Sequence, residues 1–262
     1  MPGTDLTTRT VLVVGAGTRA SDDPDAPTGN GRAIAVAAAR LGATVVCSDV
    51  DGPAAETTAD LIRSEGGTAH VVVGDVADEQ ACAAIVERAV ELATGDPLGG
   101  LVVNVGIGRG RATGLAGTSA DQWDATFAVN LRAHFLLAQA ALPHMGEGSS
   151  VVFIGSLAGL QPGSRLPAYD ASKAGLVGLS RHVALEGAPR GIRSNLVAPG
   201  LIDTPLGRAA SAGRPSRGRT NIPLGRQGTA WEVADVVTFL LSEAAAYVTG
   251  QTLAVDGGLG LI

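Results

Sequence analysis

Short aliphatic runs alternating with longer alanine-rich segments restrict what this chain can fold into more than any other feature. The runs are Thr10 to Val14, Thr44 to Cys47, His70 to Val73, Leu101 to Asn104, Ser150 to Ile154, Arg193 to Val197 and Thr252 to Val255, and they read as seven strands. Between them, helices are expected at Arg32 to Leu41, Pro53 to Ser64, Glu79 to Ala93, Asp121 to Met145, Tyr169 to Gly187 and Ala230 to Leu241. Regular alternation gives parallel strand pairing through right-handed crossovers. The expected fold class is therefore α/β: a single-domain, doubly wound (Rossmann) seven-stranded parallel sheet over residues 1–262, with helices on both faces. Aromatics make up only 3% of the chain against 45% hydrophobic residues, so the core must be built from small aliphatic side chains, which suits strands closely covered by alanine-rich helices.

Two segments break the rhythm. Arg19 to Thr28 holds three aspartates and two prolines between the first strand and its helix, and reads as an inserted loop, expected to fold over the adenosine half of a bound dinucleotide as a lid. Residues 206–227 carry Arg208, Arg214, Arg217, Arg219 and Arg226 among Gly, Pro and Ser, and read as a substrate flap. With Arg109 and Arg111 they suggest an anionic substrate such as a carboxylate or acyl thioester; a solvated arginine loop is the alternative. A net charge of −6 argues against a nucleic-acid surface and for a small-molecule partner. The N-terminal residues show no secretory signal, and no apolar run approaches the roughly 20 residues that span a bilayer, so no membrane partner and a cytoplasmic location are expected. Cys47 and Cys82 have no metal-ligand spacing and read as buried reduced thiols; no metal site is expected.

The first strand runs into Gly15, where a pyrophosphate needs close backbone approach and a helix N-terminus. Two registers satisfy this. Gly15, Gly17 and Ala20 have the spacing, but the proline-bearing insert blocks the helix that must follow. The preferred register takes Gly15, loops out Arg19 to Thr28, and resumes at Gly29, Asn30 and Gly31 just before a strongly helical run. Asp49, after the second strand, can accept hydrogen bonds from both adenosine ribose hydroxyls and would repel a 2′-phosphate. That favours NAD, while Arg19 or Arg32 could grip the 2′-phosphate of NADP if the insert folds back.

With Tyr169-Asp170-Ala171-Ser172-Lys173 the chain resembles the short-chain dehydrogenase/reductase family over nearly its whole length. Ser156 lies thirteen residues before the tyrosine, a spacing similar to the family's, and Asn130 in Val129-Asn130-Leu131 resembles its fourth catalytic residue. Asp75 and Val76 resemble the adenine-contacting pair, Pro199-Gly200-Leu201-Ile202-Asp203-Thr204 the segment that holds the nicotinamide carboxamide, and Val255-Asp256-Gly257-Gly258 the closing strand. Val103-Asn104-Val105-Gly106 retains the second asparagine and the glycine of the family's Asn-Asn-Ala-Gly, and Val14 replaces its threonine. The resemblance implies a homotetramer with interfaces on the helices from Asp121 and Tyr169 and on the last strand.

Tyr169 and Lys173 fall one turn apart on a helix, so they share a face. A nearby ammonium favours a phenolate, so a lowered tyrosine pKa is expected. The phenolate would take an alcohol proton while the hydride passes to the nicotinamide, and Ser156 would hydrogen-bond the substrate oxygen. The resemblance gives Lys173 a second role on the nicotinamide ribose and gives Asn130 a water linking the lysine to solvent. The expected function is NAD(H)-dependent interconversion of a secondary alcohol and a ketone. The runner-up is an NADPH-dependent 3-oxoacyl reductase. A lyase or dehalogenase on the same fold is opposed by Lys173, Asp49 and the 199–204 segment, and a non-enzymatic dinucleotide sensor by the pairing of Ser156 with Tyr169. Trp123 and Phe127 share a helical face that reads as core or subunit packing, and the four histidines as structural.

Overall fold

A computed structural model describes residues 3–21, 25–93, 96–108, 114–161, 163–211 and 221–261. Its elements run β1 (Thr10–Val14), α1 (Asn30–Arg40), β2 (Thr44–Asp49), α2 (Gly52–Ser64), β3 (Thr68–Val73), α3 (Glu79–Leu92), β4 (Leu98–Val103), α4 (Ala120–Phe127), α5 (Ala133–Ala141), β5 (Ser150–Ile154), α6 (Pro167–Gly187), β6 (Arg193–Pro199), β7 (Ile202–Asp203), α7 (Pro205–Ser211), β8 (Gly228–Thr229), α8 (Ala230–Leu241) and β9 (Thr252–Val255). Seven strands form one parallel sheet in the order β3-β2-β1-β4-β5-β6-β9. Strand order reverses between β1 and β4, which opens a crevice beyond their carboxyl ends.

Period-two alternation assigns each side chain of β1 to one of two cores. Val11 and Val13 pack with α1 and α8 on one face, whereas Leu12 and Val14 pack with α3, α5 and α6 on the other. All five residues of β1 are buried. Helix starts are fixed locally: Asp51 and Asp78 accept from backbone N–H groups at the heads of α2 and α3, and capping boxes of Ser119 with Gln122 and Thr229 with Glu232 open α4 and α8.

One expectation needs correction. The helix expected over Asp121 to Met145 is not uniform, since α4 passes through a π-turn at Ala128–Arg132 into α5 and ends in a 3-10 turn at Leu142–His144. The segment read as a flap opens on α7, and β7 and β8 on either side of it pair in a separate two-stranded ribbon. Arg109, Arg111, Arg214, Arg217 and Arg219 lie outside the described residues. Among the described residues no helix is long and apolar enough to cross a membrane, and no group of His, Cys, Asp and Glu could hold a metal ion.

Candidate active site

The chain takes the second glycine register. Gly15 has φ +81°, and Gly15 N and Ala16 N both donate to Ser48 O, at 2.8 and 2.9 Å. Thr18 Oγ1 then accepts from Gly29 N at 3.1 Å, closing the neck of the insert so that Gly17 and Gly29 are neighbours in space. Helix α1 starts at Asn30 behind an N-cap, Gly29, that has no side chain to cap it. Its first N–H groups therefore remain free to meet an anion. A Cβ at Gly31 would lie 1.7 Å from Gly15 O, and Asn104 Nδ2 donates to that same oxygen at 2.9 Å. Asn30 Oδ1 is buried without a partner at the head of this helix. An uncapped helix start and a cradle that any side chain would fill fit the pyrophosphate of a dinucleotide, and the Asn30 acceptor fits one of its ribose hydroxyls.

Asp49 closes the far side of the cradle. Its Oδ2 accepts from Gly17 N at 2.8 Å and its Oδ1 from Asp51 N at 3.1 Å, which holds the carboxylate at the end of β2 with lone pairs to offer a ribose. Arg32 does not reach over the loop: Nε donates to Thr58 Oγ1 at 3.0 Å, beneath it, and Thr58 Oγ1 donates to Ala16 O at 2.9 Å. Arg19 is exposed and lines, with Thr18, Arg32, Asp51 and Ala54, a cavity of about 350 Å³ between the insert and the heads of α1 and α2. After β3, Asp75 Oδ1 accepts from Ala77 N at 2.9 Å while Val76 is buried. Gly74 N donates to Asp49 O, joining this turn to the end of β2.

On the other side of β1 the structure brings Ser156, Tyr169, Lys173 and Asn130 together. Ser156 ends β5 and caps a 3-10 turn, its Oγ accepting from Ala158 N at 3.2 Å. That turn lies against α6 so closely that a Cβ at Gly159 would sit 2.6 Å from the Lys173 carbonyl. Lys173 is 3% exposed; its Nζ donates to Ile154 O at 2.9 Å and lies 6.0 Å from the centre of the Tyr169 ring. Burial lowers its pKa from 10.5 to about 8.

Asn130 sits in the π-turn, which swings it fully inward. Its Oδ1 accepts from Ile107 N at 2.8 Å, and its Nδ2 donates to Ile107 O at 2.9 Å and to Ser172 Oγ at 3.2 Å. Ser172 Oγ in turn donates to Tyr169 O at 2.8 Å. This bridge fixes the β4 loop against α6, so that a Cβ at Gly106 would be 3.2 Å from Lys173 Nζ and one at Gly108 4.0 Å from Tyr169 Cδ2. At the end of β6, Gly200 packs on Asp256, Ile202 and Thr204 are nearly buried, and Thr204 Oγ1 accepts from Gly207 N at 3.0 Å.

Sequence reasoning assigned no role to Ile107, Gly159 or Ser172, whose positions depend on contacts between distant segments. It also left His134 as a structural residue; the ring is fully buried, 5.8 Å from Phe153, and burial together with the Lys173 charge holds its pKa well below the usual value.

Residues 26–260 match the family model described as "Enoyl-(Acyl carrier protein) reductase". The 3-oxoacyl-(acyl-carrier-protein) reductase FabG of Pseudomonas aeruginosa is 37% identical over 234 residues, 88% of this chain and 93% of that protein. A crystal structure from Burkholderia xenovorans described as a short-chain dehydrogenase/reductase superposes with a TM-score of 0.89 at 33% identity, covering 99% of each chain. The chain is a short-chain dehydrogenase/reductase. As a member of this family it is an NAD(P)-dependent oxidoreductase that acts on CH–OH groups. A further neighbour of this dehydrogenase/reductase, from Agrobacterium tumefaciens and described as a 2-deoxy-d-gluconate 3-dehydrogenase with bound NADP, has a TM-score of 0.86 at 36% identity over the full length of both chains.

The buried lysine of this dehydrogenase/reductase has a measurable consequence. The folded chain holds that proton less tightly than the unfolded chain, so between about pH 8 and 10.5 the unfolded state carries more protons and stability rises with pH. Calorimetry of the cofactor-free protein should show the Tm of the wild type gaining on that of Lys173→Met across this window. Parallel pH profiles for the two proteins would contradict the burial of a charged Lys173.

Proposed function

We propose that the chain interconverts a secondary alcohol and a ketone, with NAD(H) as hydride carrier and Tyr169 as general acid and base. The proposal is carried by the placement of Tyr169 over the buried Lys173 with the Ser156 turn packed on the same helix. The bound nicotinamide supplies the hydride acceptor or donor. In oxidation the Tyr169 phenolate takes the hydroxyl proton of the alcohol, and in reduction Tyr169 returns it to the ketone oxygen. The Lys173 ammonium, held in a low-dielectric setting, favours the phenolate, and by resemblance would donate to the nicotinamide ribose. Ser156 Oγ donates to the substrate oxygen as charge develops there. Asn130 holds Ile107 and Ser172, and through them the floor of the site; by resemblance it also carries the water that links Lys173 to solvent.

On the cofactor side, Gly15, Gly17, Gly29, Asn30 and Gly31 form the pyrophosphate cradle and Asp49 the ribose acceptor. Arg19, Asp75 and Val76 would border the adenosine, Asn104 and Gly106 would support the middle, and Pro199, Gly200, Ile202 and Thr204 would meet the carboxamide. Asp49 is the reason for naming NAD. Asp49→Asn keeps the size and one acceptor while removing the charge, so kcat/KM should fall about tenfold with NAD and rise about tenfold with NADP, each equivalent to about 1.4 kcal/mol. An unchanged ratio of the two would remove the preference. NADPH-dependent 3-oxoacyl reduction is the second reading, favoured by the likeness to FabG and by the NADP bound in the Agrobacterium neighbour.

The proposal includes a cytoplasmic homotetramer. Trp123 and Phe127 stack 4.7 Å apart on α4, and Phe135 of α5 and Leu185 of α6 are 45% and 76% exposed. An apolar surface of this kind is what a subunit contact would cover. Both thiols are free and buried, as suits a reducing compartment.

A further inference from the structure

We infer that the substrate half of the site takes an uncharged alcohol or ketone with an aliphatic chain, selected by a fringe of leucines; this rests on the dehydrogenase reading above. Leu115, Leu160, Leu206, Leu224 and Leu261 are 81%, 46%, 49%, 73% and 86% exposed. They stand on the segments that follow β4, β5, β6 and β9, two of them on the flap after β6, where Leu206 belongs to α7. Exposed apolar side chains gathered at a functional rim mark a surface that is covered in use.

Contacts between the loops draw this fringe toward the reacting groups. Leu224 N donates to Gly257 O at 3.1 Å, and Gly257 and Gly258 abut Ile222 and Pro223, so the returning end of the flap rests on the C-terminal turn. Asp256 shapes that turn by accepting from Gly258 N at 2.9 Å and Gly260 N at 2.7 Å. Gly260 lies against Leu157, the residue after Ser156. From the opposite side, Gly114 N donates to Arg165 O at 3.3 Å, and the next residue, Leu166, faces Gly108, whose other neighbour is the Tyr169 ring.

The described arginines of the flap do not oppose this. Both described arginines of the flap are engaged within the protein: Arg208 grips Asp203 through two hydrogen bonds of 2.8 and 2.9 Å, and Arg226 grips Glu232 at 2.9 and 2.6 Å. Arg226 and the Thr229 cap hold the Glu232 carboxyl down to about 2. These cations are satisfied without a substrate anion, which removes Arg208 and Arg226 from the group expected to attract one.

The test is a series of alkan-2-ols from butan-2-ol to octan-2-ol, with a carboxylated alcohol and a polyhydroxylated acid of matching length. The carboxylated alcohol is the compound for which Arg165 on the same rim would be the partner. Each added methylene should raise kcat/KM about two- to fourfold, as expected for partial to full burial of one CH₂, and the aliphatic alcohols should exceed both acids. Leu224→Asp and Leu261→Asp should lower kcat/KM for octan-2-ol about tenfold and leave butan-2-ol within about twofold. If NAD or NADP binds but the series is flat or unreacted, or the acids are better substrates, the inference is overturned. It is also overturned if the two variants change only the oligomeric state, because the leucines then serve a second copy of the chain. If neither dinucleotide binds, the dehydrogenase reading beneath it falls instead.

Discussion

Tyr169→Phe is expected to lower kcat about a thousandfold, within the range typical of losing a positioned acid or base, while the Kd for the dinucleotide stays within about twofold. The substitution removes one oxygen and keeps the ring, whose edge still faces Gly108. Lys173 retains its bond to Ile154 O, and the Asn130–Ser172 bridge reaches only the backbone carbonyl of Tyr169. The glycine cradle is held by other bonds, from Gly15 and Ala16 to Ser48, from Gly29 to Thr18 and from Asn104 to Gly15. The expected signature is therefore a kcat effect without a binding effect. Steady-state rates in both directions and a fluorescence titration of the cofactor supply the two readouts. A variant that turns over as well as the wild type would show that the proton moves through another group.

Most of the sheet was legible in the sequence because its signal is local: β1, β5 and β9 are the aliphatic runs Thr10–Val14, Ser150–Ile154 and Thr252–Val255 themselves. Strand β4 starts earlier than its aliphatic run, at Leu98, because Gly99 and Gly100, which carry no aliphatic signal, are covered by Arg9, Val11 and Leu241. The break in the long helix had no local sign, since no Pro or Gly stands between Ala128 and Arg132; it is set by where the Asn130 amide must go to meet Ile107. The Tyr169–Lys173 spacing was readable because both residues stand on one helix. The neck between Thr18 and Gly29 was not readable, because a side-chain hydroxyl bonding a backbone N–H eleven residues away leaves no periodic trace. The glycine register was legible for a negative reason. Only one of the two placements put a helix directly behind the last glycine, and proline chemistry excluded the other.

Gly31→Ala should damage both stability and cofactor binding, although helix propensity alone predicts the reverse. Alanine in a helix is favoured over glycine by about 1 kcal/mol. Against that, the new Cβ would fall 1.7 Å from Gly15 O and 2.7 Å from Asn104 Nδ2, so the two backbones must separate by more than an ångström. Helix α1 cannot supply that movement, because Ala33, Ile34, Ala35 and Val36 are buried in the core it shares with α8. The glycine loop must move instead, weakening the Asn104 bond to Gly15 O and shifting the N–H groups that would face the pyrophosphate. Overpacking of this kind costs about 1–3 kcal/mol. Net of the propensity gain this leaves a cost of up to about 2 kcal/mol, and at about 2–4 °C per kcal/mol for a chain near this size Tm should fall by up to roughly 8 °C. A displacement of about 1 Å is enough to cost a hundredfold where groups must be aligned, so the dinucleotide Kd should rise about a hundredfold. Gly163→Ala, where an added Cβ meets nothing within 4 Å, is the control and should change neither quantity. Calorimetry and cofactor titration on the pair decide the matter: a Gly31→Ala protein that melts and binds like the wild type would mean that Gly15 and Gly31 do not approach one another, and the cradle for the pyrophosphate would have to be sought elsewhere in the fold.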